Sequence, residues 1–262
     1  MLEFALILLA GILAGTLGGM LGIGGGIIIF PVLRFGLGLP PALAAGTCIV
    51  AVFFTTLGGS YRHYKLGHIN IRSILPLIIA GAVSTVIFSL GFLYLTSRER
   101  WIDLGVGMVF AFISARMILE GLPWQRKEKL RDIYTDAIHG SWWKKVILGG
   151  AAGILPGLMG IGTGAILVPA FTFLFNTSVK VAMGSSLACF AANAFCSSLL
   201  KVSQDYVVLE TAVPICLGTL IGSNIGARLN KQFPSTALKL IFGIVFTYVS
   251  LKFILSYFGV TV

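Results

Sequence analysis

One glycine-rich pattern occurs twice in this chain, so any fold must accommodate both copies in the same way. The first copy is Gly18–Pro31, GGMLGIGGGIIIFP, and the second is Pro156–Pro169, PGLMGIGTGAILVP. Gly19 aligns with Gly157, Gly22 with Gly160, Gly24 with Gly162, Gly26 with Gly164 and Pro31 with Pro169, each pair 138 positions apart. The register continues outside the motif without a gap. Gly15 meets Gly153, Gly46 meets Gly184, Ser60 meets Ser198, Pro76 meets Pro214 and Gly105 meets Gly243. The chain is therefore read as two copies of one unit, residues 1–122 and 144–262, joined by a linker at 123–143.

Each motif breaks an apolar stretch, because glycine is costly in a helix interior. Residues 3–21 form a first helix, and the apolar segment at 24–36 that follows the break is too short to span a bilayer, which takes roughly 20 residues. Such a pair is a broken or re-entrant helical hairpin. Spans follow at about 41–60, 72–95 and 101–122, and the second unit repeats the series as a hairpin at about 144–175 and spans near 179–200, 207–230 and 236–258. Only 11% of residues are charged and 57% are hydrophobic, against about 25% charged in ordinary soluble domains. Too few polar residues remain to cover a soluble surface. The fold class expected is an all-α polytopic membrane protein of two inverted-topology repeats, each a broken hairpin plus three transmembrane helices.

Charge decides the topology. If each hairpin enters and leaves on one side, thirteen of the nineteen Lys and Arg fall on one face, four on the other, and Arg116 and Lys252 within spans. If each hairpin is a single crossing, the halves are parallel and the split is seven against ten. The positive-inside rule favours the first arrangement. It puts both termini outside and residues 123–143 in the cytoplasm; Arg34, Arg98, Arg100 and Lys201 are the outer basic residues. Two complete crossings per hairpin give the same sides. The formal net charge of +10 is assigned to topology, not to nucleic acid. The polar stretch Trp124–Lys145, with its Trp142–Trp143 pair, suits a charged linker or an amphipathic segment lying at the membrane interface.

Several classes of chemistry lack their residues. Cys48, Cys189, Cys196 and Cys216 fall in apolar spans without metal-ligand spacing, so no metal, disulfide or cofactor is expected. His63, His68 and His139 are placed in loops, and no carboxylate pair sits mid-span. Asp103, Glu120 and Glu210 fall near span ends, where a surface role is the default. The N-terminal apolar run lacks a basic start and is expected to be retained.

Paired broken helices in inverted repeats point to a secondary transporter with its site near the midplane. A helix that starts inside the membrane presents unpaired N–H groups and a positive dipole end, and irregular backbone at that depth is tolerated where it is buried or lines a cavity. Gly24, Gly25 and Gly26, with Gly162, Thr163 and Gly164, are the candidate anion donors. Gly15, Gly19, Gly153 and Gly157 are read as helix-packing residues. A second matched pair, Gly46-Thr47-Cys48 against Gly184-Ser185-Ser186, adds the hydroxyls of Thr47, Ser185 and Ser186, which otherwise bond their own helix backbone. Asn193, opposite Thr55 in the repeat, serves either the solute or a neighbouring helix. His63, with Lys201 at the same repeat position, is the candidate for proton coupling or gating. A site built in this way holds donors and no full positive charge, since Arg116 and Lys252 are the only cations expected within spans.

The doubled Gly-x-Gly-x-Gly-x4-Pro motif, the Gly-Thr/Ser-x element about twenty residues on, and His63-x3-Gly67-His68-Ile69-Asn70 resemble the TauE/SafE family of sulfite and organosulfonate exporters, over essentially the whole chain. The resemblance implies export of sulfite, sulfoacetate or a related organosulfonate across a bacterial plasma membrane. The partners expected are a small anionic solute and membrane lipid, with the oligomeric state left open to a homo-oligomer. Thr163 in place of Gly25 and Lys201 in place of His63 break the symmetry of the two halves. An anion channel of the same architecture, and a non-transporting membrane scaffold acting through the central loop, are the competing readings. Neither is an enzyme.

Overall fold

A computed structural model describes residues 2–97, 99–121, 138, 140–229 and 235–258. The first unit runs α1 (Leu2–Leu21), α2 (Gly26–Pro31, continued by a π-helical turn over Val32–Gly36), α3 (Pro41–Lys65), α4 (Ile71–Thr96) and α5 (Glu99–Gly121). The second runs α6 (Trp142–Met159), α7 (Gly164–Leu174), α8 (Val179–Ser203), α9 (Leu209–Leu229) and α10 (Ser235–Tyr257). The breaks fall at the two glycine clusters, and six of the described helices are long and apolar enough to cross a membrane. Most of the linker 123–143, with His139, lies outside the described residues.

The α3 and α8 helices end alike. Gly67 at φ 75° and Asp205 at φ 60° are repeat mates in the left-handed conformation. The next residue turns back each time: His68 N–H donates to His63 O and Tyr206 N–H to Lys201 O, both at 3.0 Å. The α3 helix therefore runs past the expected loop start at Tyr61. Its last turn carries Arg62, His63 and Lys65, which complement the negative end of the helix dipole. His63, expected in a loop, is instead helical and buried.

The two units interleave. The α1 helix packs on α9 and, one repeat later, α6 packs on α4; α3 packs on α9 as α8 packs on α4; α3 meets α8 and α5 meets α10. The contacts follow from glycine at every fourth position. A Cβ at Gly15 would lie 2.7 Å from Thr219 Cα, one at Gly19 2.8 Å from Ser223 Cα, and one at Gly149 2.8 Å from Leu77 Cα. Close backbone approach, rather than a hydrophobic drive, is what holds helices together in lipid. The packing assignment of Gly15, Gly19, Gly153 and Gly157 is seen directly. Hydroxyls add to it: Ser84 Oγ donates to Gly150 O at 2.7 Å and Thr85 Oγ1 to Gly153 O at 3.1 Å. The outward faces carry Leu6, Leu9 and Leu13 on α1 and Ile79, Val83 and Ile87 on α4, all exposed, as helices facing lipid require.

One charged contact departs from expectation. Asp103 is buried rather than at the surface. Arg34 donates to its two oxygens at 3.2 and 2.9 Å, and Ser256 Oγ donates to Asp103 Oδ2 at 2.9 Å. This contact ties the end of the first hairpin to the start of α5 and the end of α10. The repeat mate of Arg34 is Thr172, so the second half has no equivalent.

Candidate functional site

The glycine clusters act as turns between half-helices, and the two turns meet. Gly22 and Gly160, repeat mates, adopt φ 72° and 65°. A Cβ at Gly26 would sit 3.1 Å from Gly162 N, one at Gly162 2.6 Å from Ile23 O, and one at Gly164 would collide with Gly22 O. Backbone thus lies on backbone where the loops cross. The crossing is at mid-depth of the bundle, because its walls are mid-helix residues of α3 and α8. Val52 is 2.8 Å from the Gly26 Cβ position, and Phe190 is 2.7 and 2.8 Å from those of Gly24 and Gly162. Phe190 touches both loops and was not singled out from the sequence. Its repeat mate is Val52, and that exchange of an aromatic for a small side chain is the one trace it leaves.

The loops differ where the sequence differs. Gly24 and Gly25 are both left-handed, at φ 83° and 74°, a conformation with little penalty for glycine alone. Thr163, which replaces Gly25, sits at φ −95°. The second loop therefore brings a hydroxyl into the crossing where the first brings only backbone.

The polar candidates divide by their partners. Thr47 Oγ1 accepts from Val208 N–H at 3.0 Å and so fastens the α8–α9 turn to the start of α3. Gly46 lets that turn approach, since a Cβ there would collide with Tyr206 O. Gly184 does the same for the α3–α4 turn, with His68 O 3.1 Å from its Cβ position. Ser186 Oγ donates to Gly22 O at 3.3 Å, joining α8 to the first loop. By contrast Thr163 Oγ1, Ser185 Oγ and Asn193 Oδ1 are buried with no hydrogen-bond partner. Thr163 starts α7 without capping it. The Asn193 amide lies against Gly81, whose Cβ would be 2.7 Å from Oδ1. An unpartnered buried polar group costs about 1–3 kcal/mol; the two hydroxyls are free to donate, whereas Asn193 Oδ1 can only accept.

The two basic candidates occupy opposite ends of the α3–α8 pair. His63 Nδ1 lies 3.1 Å from His68 Nδ1, so at least one of the two carries a proton between them. Lys201 is fully buried, with Nζ 2.7 Å from the centre of the Phe92 ring. The expectation that Arg116 and Lys252 are the only cations within spans is thereby corrected. The α8 helix continues to Ser203 and takes Lys201 inside the bundle. Ionisable residues inside a membrane protein are costly and mark functional positions.

The family model described as sulfite exporter TauE/SafE matches residues 7–253. The probable membrane transporter protein YunE of Bacillus subtilis (strain 168) is 25% identical, over 97% of this chain and 98% of that protein. YdhB of the same organism, described in the same words, is 28% identical over 89% of this chain and 93% of its own length. A sulfite exporter TauE/SafE family protein 1 of Arabidopsis thaliana is 32% identical over 42% of this chain and 25% of that protein. No solved structure matches the chain.

Proposed function

The chain belongs to the sulfite exporter TauE/SafE family of membrane transporters, and from that premise we propose that it is a secondary exporter of a small sulfur-containing oxyanion: sulfite, sulfoacetate or a related organosulfonate. The observation that carries the proposal is the meeting of the two glycine loops at mid-depth, with the unpartnered hydroxyl of Thr163 in one loop and the unpartnered Ser185 Oγ and Asn193 Oδ1 on α8, the helix whose Phe190 touches both loops. A sulfonate offers oxygens in a tetrahedral array and takes hydrogen bonds from several directions. Backbone N–H groups at the starts of α2 and α7, the two hydroxyls and the Asn193 amide are donors of that kind. The two units are inverted repeats, with both termini outside a bacterial plasma membrane and residues 123–143 in the cytoplasm. Loops that close on each other suit alternating access, since they seal the path until one unit rocks against the other. Export of an anion from a negative interior is favoured by about 2.3 kcal/mol per charge per 100 mV.

The test is flux from proteoliposomes loaded with labelled sulfite or sulfoacetate, and separately with a cationic solute. Anion efflux that shows counterflow supports the carrier. Anion flux without counterflow and far beyond carrier turnover identifies a channel. Cation flux with the anions retained refutes the anion site.

A further inference from the structure

The strongest unexplained group in the molecule is Lys201, and we propose that it is a second anion-binding station, separate from the glycine crossing, where the transported oxyanion pairs with its ammonium on the way out. This rests on the exporter reading above and assigns a residue and a step to it. The comparison with Lys145 carries the argument. Both lysines are buried, at 0% and 8% exposure. Lys145 Nζ donates to Ser73 O at 2.8 Å and to Ile138 O at 2.7 Å. Here the protein supplies the acceptors a structural lysine requires. Among the described residues Lys201 Nζ has no hydrogen-bond acceptor, and the ion pair seen among them, Arg34 with Asp103, lies elsewhere.

What faces Lys201 is an aromatic wall. Phe92, on α4, presents the face of its ring, and Tyr206 meets that ring edge-on at 5.2 Å and 89°. Tyr206 belongs to the turn that Thr47 and Gly46 hold against α3. The amino group is thus enclosed by α8, α4 and the α8–α9 turn. Gln204 Oε1, three residues along, is an acceptor left without a partner, and it takes no hydrogen bond from Lys201. A ring face is a weak, non-directional substitute for an anion. An oxyanion arriving from the crossing exchanges the ring for charge-assisted hydrogen bonds. By the proposed topology this end of α8 is the outer one, and the repeat mate His63 stands at the inner end. The path therefore carries dipoles at its centre and a lysine only at its exit.

Four proteins in proteoliposomes decide it: wild type, Lys201→Met, Phe92→Leu and the conservative control Lys201→Arg. Concentration dependence of sulfite and sulfoacetate efflux is measured for each, alongside thermal stability in detergent. We expect Lys201→Met to stay folded and raise KM at least tenfold, Lys201→Arg to keep most of the affinity, and Phe92→Leu, which removes the competing ring, to lower KM. A purely structural lysine predicts loss of stability in both Lys201→Met and Phe92→Leu with KM unmoved. Wild-type KM in Lys201→Met, or raised KM in a folded Phe92→Leu should Lys201→Met fail to fold, overturns the assignment while leaving the exporter reading intact. A wild-type protein that moves neither anion overturns the exporter reading first, and this assignment with it.

Discussion

Thr163, Ser185 and Asn193 have the same predicament: each is buried with an oxygen left without a hydrogen bond. Removing such a group relieves a desolvation cost, so a residue kept only for stability would be improved by the change. We expect Thr163→Val and Ser185→Ala to leave the melting temperature unchanged or raised, and to cut sulfonate transport about tenfold each, on the scale of one lost hydrogen bond to an anion at about 1.5 kcal/mol. Scanning fluorimetry and efflux assays on the same preparations check both halves of the statement. Lower stability with normal transport would make these hydroxyls packing groups. The obvious alternative, a large residue at the glycines, is a poorer test than the motif suggests. Gly25→Leu must adopt φ 74°, and a side chain at Gly164 collides with Gly22 O and lies 2.6 Å from Ile23 Cα, so Gly164→Leu is expected to unfold the crossing instead of blocking a solute. Thr163 was legible in the sequence as the residue that breaks the repeat. The burial of Lys201 was not, because a lysine at a span end reads as a loop residue until the length of α8 is known.

At the scale of elements, glycine spacing decides which helices touch, and one helix offers its own control. On α6, a Cβ at Gly153 would collide with Gly81 O and lie 2.7 Å from Ser84 Cβ, whereas one at Gly150 meets nothing within 4 Å. Gly150→Ala is expected to be neutral or stabilising by up to about 1 kcal/mol from helix propensity alone. Gly153→Ala forces α6 away from α4 and is expected to cost about 1–3 kcal/mol, as overpacking does; thermal unfolding in detergent separates the two. The stripe was readable because Gly15 and Gly19 reappear as Gly153 and Gly157. Its partners were not readable. Nothing in α1 names α9, and the interleaving of the halves appears only when Gly15 is found against Thr219 and Gly153 against Gly81. The Arg34–Asp103 contact was hidden for the same reason, as its members are 69 residues apart. With Asp103 enclosed and Arg34 side chain 22% exposed, Asp103→Ala is expected to destabilise by about 2 kcal/mol, below the 3–5 kcal/mol of a fully buried pair. A double-mutant cycle with Arg34→Ala should return a coupling of about 1 kcal/mol or more.

For the whole molecule, the question is how two similar units lie in one bilayer. The main contacts between the units pair off one repeat apart, α1 on α9 with α6 on α4 and α3 on α9 with α8 on α4, so the halves are related by an approximate two-fold. A two-fold in the membrane plane turns one unit over; a two-fold along the normal leaves both upright. We propose the first, on the distribution of basic residues. Thirteen Lys and Arg share a face if the units are inverted, against ten and seven if they are parallel, and cytoplasmic loops hold the excess. Moving Lys201 from a loop into the bundle lowers the minority face from four to three and leaves the choice standing. The inverted arrangement puts the central linker inside and the turns at Gly67 and Asp205 on opposite sides. We therefore expect a cysteine introduced at Lys65, beside the first turn, to be reached by a membrane-impermeant thiol reagent only in inverted vesicles. One at Ser203, beside the second turn, should be reached only in sealed right-side-out cells. The four native cysteines lie within helices, three of them buried, and give a low background. Labelling of both positions from the same side would overturn the inverted arrangement and with it the placing of His63 and Lys201 at opposite membrane faces.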